Sequence, residues 1–203
     1  MQKQSLSSFA DRYTKAKGTL FVVSGPSGCG KTTLCSRLLR TKLGLVRSVS
    51  VTTRQLRGKE TDKKDYIYIS AQGFKKQLAK GMFLEHAKVF GYYYATPKKL
   101  VKKILEKKQD MLLNIDVQGA AQIKRQFEQA VLIFILPPTM EALETRLRNR
   151  SSDAPEQIRK RLAVAQKELA AIKIYDYVVI NDRIDKAVRQ LTSIITATQQ
   201  QIR

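Results

Sequence analysis

Short, almost wholly apolar runs recur along the chain, and helical patterns separate them. The runs lie at residues 20–23, 111–117, 131–136 and 177–180, and nearly every position is apolar in the first, third and fourth. Such runs are typical of strands buried on both faces, and their alternation with helices is typical of a parallel sheet. The pattern predicts an α/β fold with a parallel sheet core flanked by helices.

Two later segments have the period of amphipathic helices. The first, residues 98–108, follows the start signal Thr96-Pro97 and carries lysines opposite an apolar stripe. The second is predicted to begin at the capping cluster 152–156. The two stripes consist of Leu100, Val101, Ile104 and Leu105 in the first helix, and of Ile158, Leu162, Ala165 and Leu169 in the second. The lysine run is interpreted as a solvated face.

Between the first helix and Thr96 the pattern changes. Residues 49–53 are rich in β-forming side chains, residues 66–69 alternate, and residues 85–94 mix aromatic, apolar and charged residues. These features favour strands. We therefore expect a separate β-containing lobe inserted into the core, placed so that a substrate held there would face the glycine-rich loop at 25–32.

That loop reads Gly-Pro-Ser-Gly-Cys-Gly-Lys-Thr, which fits the Walker A spacing of a phosphate-binding loop. A strand-like run precedes it and a helical pattern follows, as the motif requires. Glycines let successive N–H groups turn toward a phosphate, and the helix N-terminus adds partial positive charge. Lys31 would reach the β- and γ-phosphates, and the Thr32 hydroxyl would bind Mg²⁺. The alternative is a glycine-rich turn that binds nothing.

Composition adds a strong positive charge. The chain of 203 residues carries 38 Lys and Arg against 17 Asp and Glu, a formal net charge of +21. An anionic partner would suit this charge, but no basic and aromatic recognition motif is present, so a solvated basic surface is preferred over nucleic-acid binding. Cys29 and Cys35 lack the spacing of a zinc site and are expected to be free thiols.

The N-terminal stretch 1–17 is polar, with no apolar core of a signal peptide, and no run of about 18 apolar residues occurs. We expect a soluble, cytoplasmic protein without a membrane partner. Monomer and homodimer both remain open.

Eight segments, in this order, resemble the guanylate kinase family. The resemblance covers residues 18–200, and the combination of segments is far more specific than any one motif. The segments are the phosphate loop at 25–32, Ser-Val-Ser-Val-Thr-Thr-Arg-Gln-Leu-Arg at 48–57, Asp-Tyr at 65–66, Phe-Leu-Glu-His-Ala at 83–87, Gly-Tyr-Tyr-Tyr-Ala-Thr at 91–96, Asn-Ile-Asp-Val-Gln-Gly at 114–119, Ile-Leu-Pro-Pro at 135–138 and Val-Ile-Asn-Asp at 179–182.

The resemblance implies a P-loop nucleoside monophosphate kinase. It would transfer the γ-phosphoryl group of ATP to GMP and dGMP with Mg²⁺, giving ADP and GDP for the supply of GTP and dGTP. It also implies a division of the chain into a tail at 1–17, core segments at 18–49, 97–140 and 169–203 (with a C-terminal helix), a mixed α/β GMP-binding lobe at 50–96, and a helical lid at 141–168.

On the donor side, the resemblance implies ATP binding by the loop and by the end of the last strand. Asn181, with Asp182, would lie beside the adenine or would form a strand-ending turn. Thr32 and Asp116 would lie at the metal, with water between. The ATP-binding set is Gly25, Pro26, Ser27, Gly28, Cys29, Gly30, Lys31, Thr32, Thr33 and Asn181; the catalytic set is Lys31, Arg54, Arg146, Arg150 and Arg161.

On the acceptor side, Glu85 would accept the N1–H and amino hydrogens of guanine, and Ser50 would contact O6. Adenine reverses this donor and acceptor pattern, so the pair would discriminate strongly. Thr96 would both contact guanine and cap the helix that begins at Pro97. Arginine forks and tyrosine hydroxyls would hold the phosphate. The GMP-binding set is Ser50, Arg54, Arg57, Tyr66, Glu85, Tyr94, Thr96 and Asp116.

The chain departs from the family pattern at Leu56, Lys63, Ala95 and Asn114, the last of which replaces an acid close to the acceptor site. Three other functions remain as alternatives: a non-catalytic binding module of the same fold, a kinase of another phosphorylated acceptor such as a sugar phosphate, and a basic nucleic-acid-associated protein. The intact Gly30-Lys31-Thr32 argues against the first, and Glu85 with Ser50 argues against the second.

Overall fold

The computed structural model of the protein describes residues 17–56, 58, 60–150 and 155–201, except the side chain of Arg150. Nine strands lie in these residues. They are β1 (Leu20–Ser24), β2 (Val46–Arg47), β3 (Val51–Thr52), β4 (Ile67–Tyr68), β5 (Phe83–Val89), β6 (Tyr92–Pro97), β7 (Met111–Asn114), β8 (Val131–Leu136) and β9 (Tyr177–Ile180).

Two sheets divide these strands between them. The larger is a five-stranded sheet in the order β2-β7-β1-β8-β9, and all of its pairs are parallel. The smaller has four strands in the order β4-β3-β6-β5, with a parallel β3–β4 pair and antiparallel pairs elsewhere. The predicted parallel core is thus confirmed, and the β-rich segment after the first helix forms its own sheet.

Helices connect the strands and cover both faces of the large sheet. Seven α-helices lie in the described residues: α1 (Lys31–Leu38), α2 (Ala71–Ala79), α3 (Lys98–Glu106), α4 (Val117–Gln126), α5 (Met140–Arg150), α6 (Pro155–Leu169) and α7 (Ile184–Gln199). A 3-10 helix, Ala170–Ile174, follows α6. The predicted helix at 98–108 is confirmed as α3, with Val101 and Leu105 buried.

The central strand β1 is buried on both faces. Alternate residues point to opposite sides of a sheet, so its side chains pack with helices on either side. Phe21 and Val23 pack with α1 and α7, whereas Leu20 and Val22 pack with α3 and α4. Strand β1 therefore has its carboxyl end fixed at the middle of the sheet, the position where ligands bind in folds of this class.

The prediction that the run at 177–180 is buried on both faces is wrong. Tyr177, Val178 and Ile180 are 38%, 47% and 52% exposed, and Val179 alone in this strand is buried. The reason is position, since β9 is the edge strand and pairs only with β8. An apolar run cannot distinguish a central from an edge strand.

The predicted strand at 111–117 is also shorter than expected. Strand β7 ends at Asn114 and α4 begins at Val117, because the Asp116 carboxylate accepts the backbone N–H groups of Gln118 (2.7 Å) and Gly119 (3.1 Å) as an N-cap. The predicted capping cluster 152–156 lies mostly outside the described residues.

Within the described residues, no helix combines the length and hydropathy needed to cross a bilayer.

Candidate active site

The phosphate loop joins β1 to α1 and relies on glycine. Gly25, Gly28 and Gly30 have φ of 138°, 91° and 95°, a region that other residues rarely adopt. A methyl group on Gly25 would overlap the carbonyl oxygen of Ile135, and one on Gly30 would overlap the amide of Asn181. The glycines are therefore required both for the backbone angles and for the close packing of the loop on its neighbours.

Lys31 lies over this loop. Its Nζ donates to the carbonyl oxygens of Gly25 (2.5 Å) and Pro26 (2.8 Å). A full positive charge thus lies next to the N-terminus of α1, where the unpaired N–H groups add a partial positive charge. This combination can bind a phosphate group.

The side chain of Asn181 binds the backbone of the loop. Its Nδ2 donates to the carbonyl of Cys29 at 2.8 Å, and the residue is buried. The backbone carbonyl of Asn181 accepts from the Arg146 guanidinium at 2.7 Å, which ties the helix α5 to the end of β9. The described structure places the Asn181 amide against the loop at Cys29. Its contact with adenine stays a prediction.

Both cysteines are free thiols, as predicted, and both are buried. Burial raises the pKa of Cys35 to about 12.

Thr32, Asn114 and Asp116 lie at the carboxyl end of the central strands. The Thr32 hydroxyl accepts from Asn114 Nδ2 at 3.3 Å. Thr32 and Asp116 line the same cavity as Lys31. The described residues contain no cluster of three or more His, Cys, Asp or Glu that could hold a metal without further ligands. A hydroxyl and one carboxylate do fit Mg²⁺ bound mainly through phosphates and water, which is its usual mode at nucleotide sites.

Glu85 lies on β5 in the smaller sheet and is only 3% exposed. Its Oε1 accepts from the Thr96 hydroxyl at 2.6 Å. Burial raises the pKa of Glu85 to about 7; the Thr96 hydrogen bond lowers the pKa, and the charge of Asp116 raises it. A methyl group on Gly119 would overlap Glu85 Oε2, so the glycine makes room for this carboxylate.

The prediction that Thr96 caps α3 is wrong. The N-cap of α3 is Pro97, and no side chain caps it. The Thr96 hydroxyl is engaged by Glu85, because β6 continues through Thr96 and pairs this residue with Glu85 on β5. Its contact with guanine stays a prediction.

Arg54 is held by a network that also includes Glu60. The guanidinium makes a forked pair with the Glu60 carboxylate at 2.8 and 2.9 Å, and the Tyr68 hydroxyl donates to the same carboxylate at 2.9 Å. The Arg54 Cζ lies 5.3 Å from the ring centroid of Tyr66, whose ring meets that of Tyr94 edge to face. The Glu60 hydrogen bond raises the pKa of Arg54.

The predicted lid arginines differ in their surroundings. Arg146 on α5 contacts the carbonyl of Asn181, as described above. Arg161 on α6 lies over the ring of Phe90, with 5.0 Å between Cζ and the centroid. Arg150 ends α5, and its side chain lies outside the described set, as does the whole of Arg57. Their roles stay predictions.

Two adjoining cavities bring these residues together. The larger, about 950 Å³, is lined by Ser50, Arg54, Tyr66, Tyr94 and Arg161 among others. The smaller, about 400 Å³, is lined by Lys31, Thr32, Glu85, Asp116 and Glu168 among others. Phe90 and Asn114 line both. The phosphate-loop lysine and the buried Glu85 of the smaller sheet thus share one cavity.

Comparison with known proteins matches this geometry. The guanylate kinase family profile covers residues 17–198. The chain belongs to the guanylate kinase family. A guanylate kinase of Caldanaerobacter subterraneus subsp. tengcongensis is 46% identical over 183 residues, which are 90% of this chain and 89% of that protein. One of Nitrosospira multiformis is 45% identical over 184 residues, 91% and 88% of the two chains.

A solved structure supports the same family. The crystal structure of guanylate kinase from Anaplasma phagocytophilum has a TM-score of 0.77 and 34% identity, and the match covers 93% of this chain and 90% of that one. The predicted α/β fold of P-loop type and the predicted class of enzyme, a nucleoside monophosphate kinase, are thereby confirmed.

Four residues that line or support this site were not predicted from the sequence. Glu60 and Tyr68 hold Arg54, Phe90 contacts Arg161, and Glu168 lines the cavity at the phosphate loop. Phe90 is followed by glycine at the tip of the β5–β6 hairpin and has a positive φ of 47°, so the turn pattern was a usable signal. The other three have no local signal, since only the fold brings them to the site.

Proposed function

We propose that this protein transfers the γ-phosphoryl group of ATP to GMP, and also to dGMP, in a reaction that requires Mg²⁺. The products, ADP and GDP or dGDP, would supply GTP and dGTP. The observation that carries the proposal is the cavity shared by Lys31 and Glu85. The Lys31 ammonium group, which would bind phosphate, and the buried Glu85 carboxylate, which would bind guanine, thus line the same cavity, as a reaction between two nucleotides requires.

At the donor site, the loop from Gly25 to Thr33 binds the triphosphate through its N–H groups and Lys31. Asn181 fixes the loop through the Cys29 carbonyl. Thr32 and Asp116 would hold Mg²⁺, which would neutralise charge on the phosphates when bound. Both oxygen groups line the cavity with Lys31, which supports this assignment.

At the acceptor site, ionised Glu85 accepts the two hydrogen bonds that guanine donates, with Ser50 and Thr96 beside it. Arg54, Arg57, Tyr66 and Tyr94 bind the phosphate. None of the proposed contacts involves the ribose 2′-hydroxyl, so dGMP should be accepted as well. Arg54 is already ordered by Glu60, which reduces the entropy lost when a phosphate binds.

The reaction needs no general base, because the attacking oxygen belongs to a phosphate that is ionised at neutral pH. Positioning and electrostatics therefore carry the rate. The lid helices α5 and α6 present Arg146, Arg150 and Arg161 to the phosphates as they close. Closure excludes water, which otherwise competes with GMP as the acceptor.

One experiment tests the proposal directly. The purified protein is mixed with MgATP and, separately, GMP, dGMP, AMP, UMP, CMP or a sugar phosphate, and ADP release is followed. We expect ADP with GMP and dGMP only, and none when EDTA removes the cation. ADP formation with a sugar phosphate but not with GMP would support a kinase of another acceptor. No ADP with any acceptor, despite binding of GMP, would support a non-catalytic module.

A further inference from the structure

Glu168 belongs to the lid helix α6, yet its carboxyl group lies at the phosphate loop. It lines the 400 Å³ cavity together with Ser27, Lys31 and Asp116. Its Oε2 is buried and has no hydrogen-bond partner among the residues that the structure describes. An unpaired buried carboxylate oxygen costs free energy, so its position calls for an explanation in terms of function.

Groups of both charges act on the Glu168 carboxyl group. Burial raises its pKa; the Lys31 ammonium lowers the pKa, Asp116 raises it, and hydrogen bonding by the Ser27 N–H lowers it. Lys31 Nζ is held by the carbonyl oxygens of Gly25 and Pro26. A second carboxylate, Asp116, lies in the same cavity. Two acidic side chains, Asp116 at the N-cap of α4 and Glu168 on α6, therefore line the cavity where phosphates would bind.

We propose that Glu168 makes the donor site selective for cation-bound over cation-free nucleoside triphosphate. This inference rests on the proposed ATP site. A triphosphate without a cation would bring its full negative charge next to a half-buried carboxylate whose Oε2 is shielded from water, and like charges repel more strongly there than in solvent. A divalent cation on the phosphates reduces that repulsion, so the penalty falls on the free nucleotide.

Calorimetric binding of ATP, once with Mg²⁺ and once in EDTA, tests the inference without relying on turnover. Glu168→Gln keeps the shape of the side chain and removes its charge. The matched control is Glu156→Gln, which removes the same charge from the same helix at an exposed position that pairs with Lys160 at 2.8 Å. We expect Glu168→Gln to tighten binding of metal-free ATP by about tenfold and of MgATP by less than about threefold. The control should change neither.

Other outcomes overturn the inference. If Glu168→Gln weakens both forms of ATP equally, the residue only braces α6 against the loop through Ser27. If the ratio of the two affinities stays at the wild-type value, Glu168 does not select. Glu168→Asp retains the charge and should keep the wild-type ratio of the two affinities. Glu168→Ala also removes the charge and should shift this ratio, so it replaces Glu168→Gln in the test if that variant does not fold. Failure of the wild-type protein to bind MgATP would instead overturn the proposed function.

Discussion

The proposed donor and acceptor sides of the cleft are built in different ways. The phosphate loop is one continuous stretch, and its shape is set by backbone angles at three glycines and by close packing on Ile135 and Asn181. The acceptor side is assembled from separate segments, and its shape is set by bonds between side chains, such as those joining Arg54 to Glu60 and Glu85 to Thr96.

This difference has a consequence for function. A backbone site offers the same N–H donors to any phosphate, so specificity has to come from the other side. On the proposed acceptor side, the buried charges of Arg54 and Glu85 would bind one pattern of donors and penalise others. Changes on the donor side should therefore act mainly on turnover, and changes on the acceptor side mainly on the affinity for GMP.

The largest effect is expected at Lys31. Lys31→Ala removes the one full charge that the loop itself carries, and we expect kcat to fall by about 10³-fold or more. The fold should persist, since the side chain is only half-buried. ADP release and thermal unfolding measure the two effects, with Lys42→Ala at an exposed position as the control. A variant that retains near-wild-type kcat would contradict the proposed mechanism.

Glu85 should dominate the acceptor side. Glu85→Gln replaces one of two required acceptors by a donor, and we expect KM for GMP to rise by about 100-fold while the affinity for MgATP is kept. Steady-state kinetics with GMP and AMP measure the change in selectivity. An equal loss for MgATP would show that the two sides are not separable in this way.

The raised pKa of Glu85 also predicts a pH dependence. Its pKa of about 7 means that the ionised form needed for guanine disappears below neutral pH. We expect KM for GMP to rise about tenfold for each pH unit below about 7, whereas the KM of Glu85→Gln should change only where the phosphate of GMP itself takes up a proton, near pH ~6. A wild-type KM that is constant between about pH 5.5 and about pH 8 would contradict this assignment.

The same shift has a cost for stability. The folded-state pKa lies above the usual value of 4.5, so between these two pH values the native state holds a proton that the unfolded state has lost. Stability then falls as pH rises through this window, by about 3 kcal/mol in total. Thermal unfolding at about pH 5 and about pH 8 should show this loss in the wild type and not in Glu85→Gln.

The difference between the two sides also explains which features the sequence alone predicts. The loop, the central strands and α3 follow from local patterns, because glycine angles, apolar runs and helical stripes act within a few residues. The solvent exposure of β9 and the Glu85 bond to Thr96 depend on which strands become neighbours, and no local pattern states that. Glu60 and Glu168 are ordinary acids in the sequence; only the fold brings them beside Arg54 and the loop.

Glu60 provides a smaller test of the acceptor side. The Arg54 side chain is 6% exposed, and the Glu60 carboxylate binds both of its terminal nitrogens. We expect Glu60→Gln to release the guanidinium and to raise KM for GMP about tenfold, with a smaller change in kcat. Asp185→Asn is the control, since Asp185 pairs with the exposed Arg37 and lines neither cavity. A fall in KM would instead mean that Glu60 competes with the phosphate.

The smallest effect is expected where the two sides meet. Phe90 lies at the tip of the β5–β6 hairpin, lines both cavities and contacts Arg161 of α6, the proposed lid helix. An exposed contact between a guanidinium and an aromatic ring contributes about 0.5–1 kcal/mol. Phe90→Ala should therefore raise KM for both nucleotides by about threefold, because it weakens closure of the lid rather than either site alone. Met82→Ala, at an equally exposed position that lines neither cavity, should leave both values unchanged. An increase confined to GMP would assign Phe90 to the acceptor side alone, and the lid would then close without this contact.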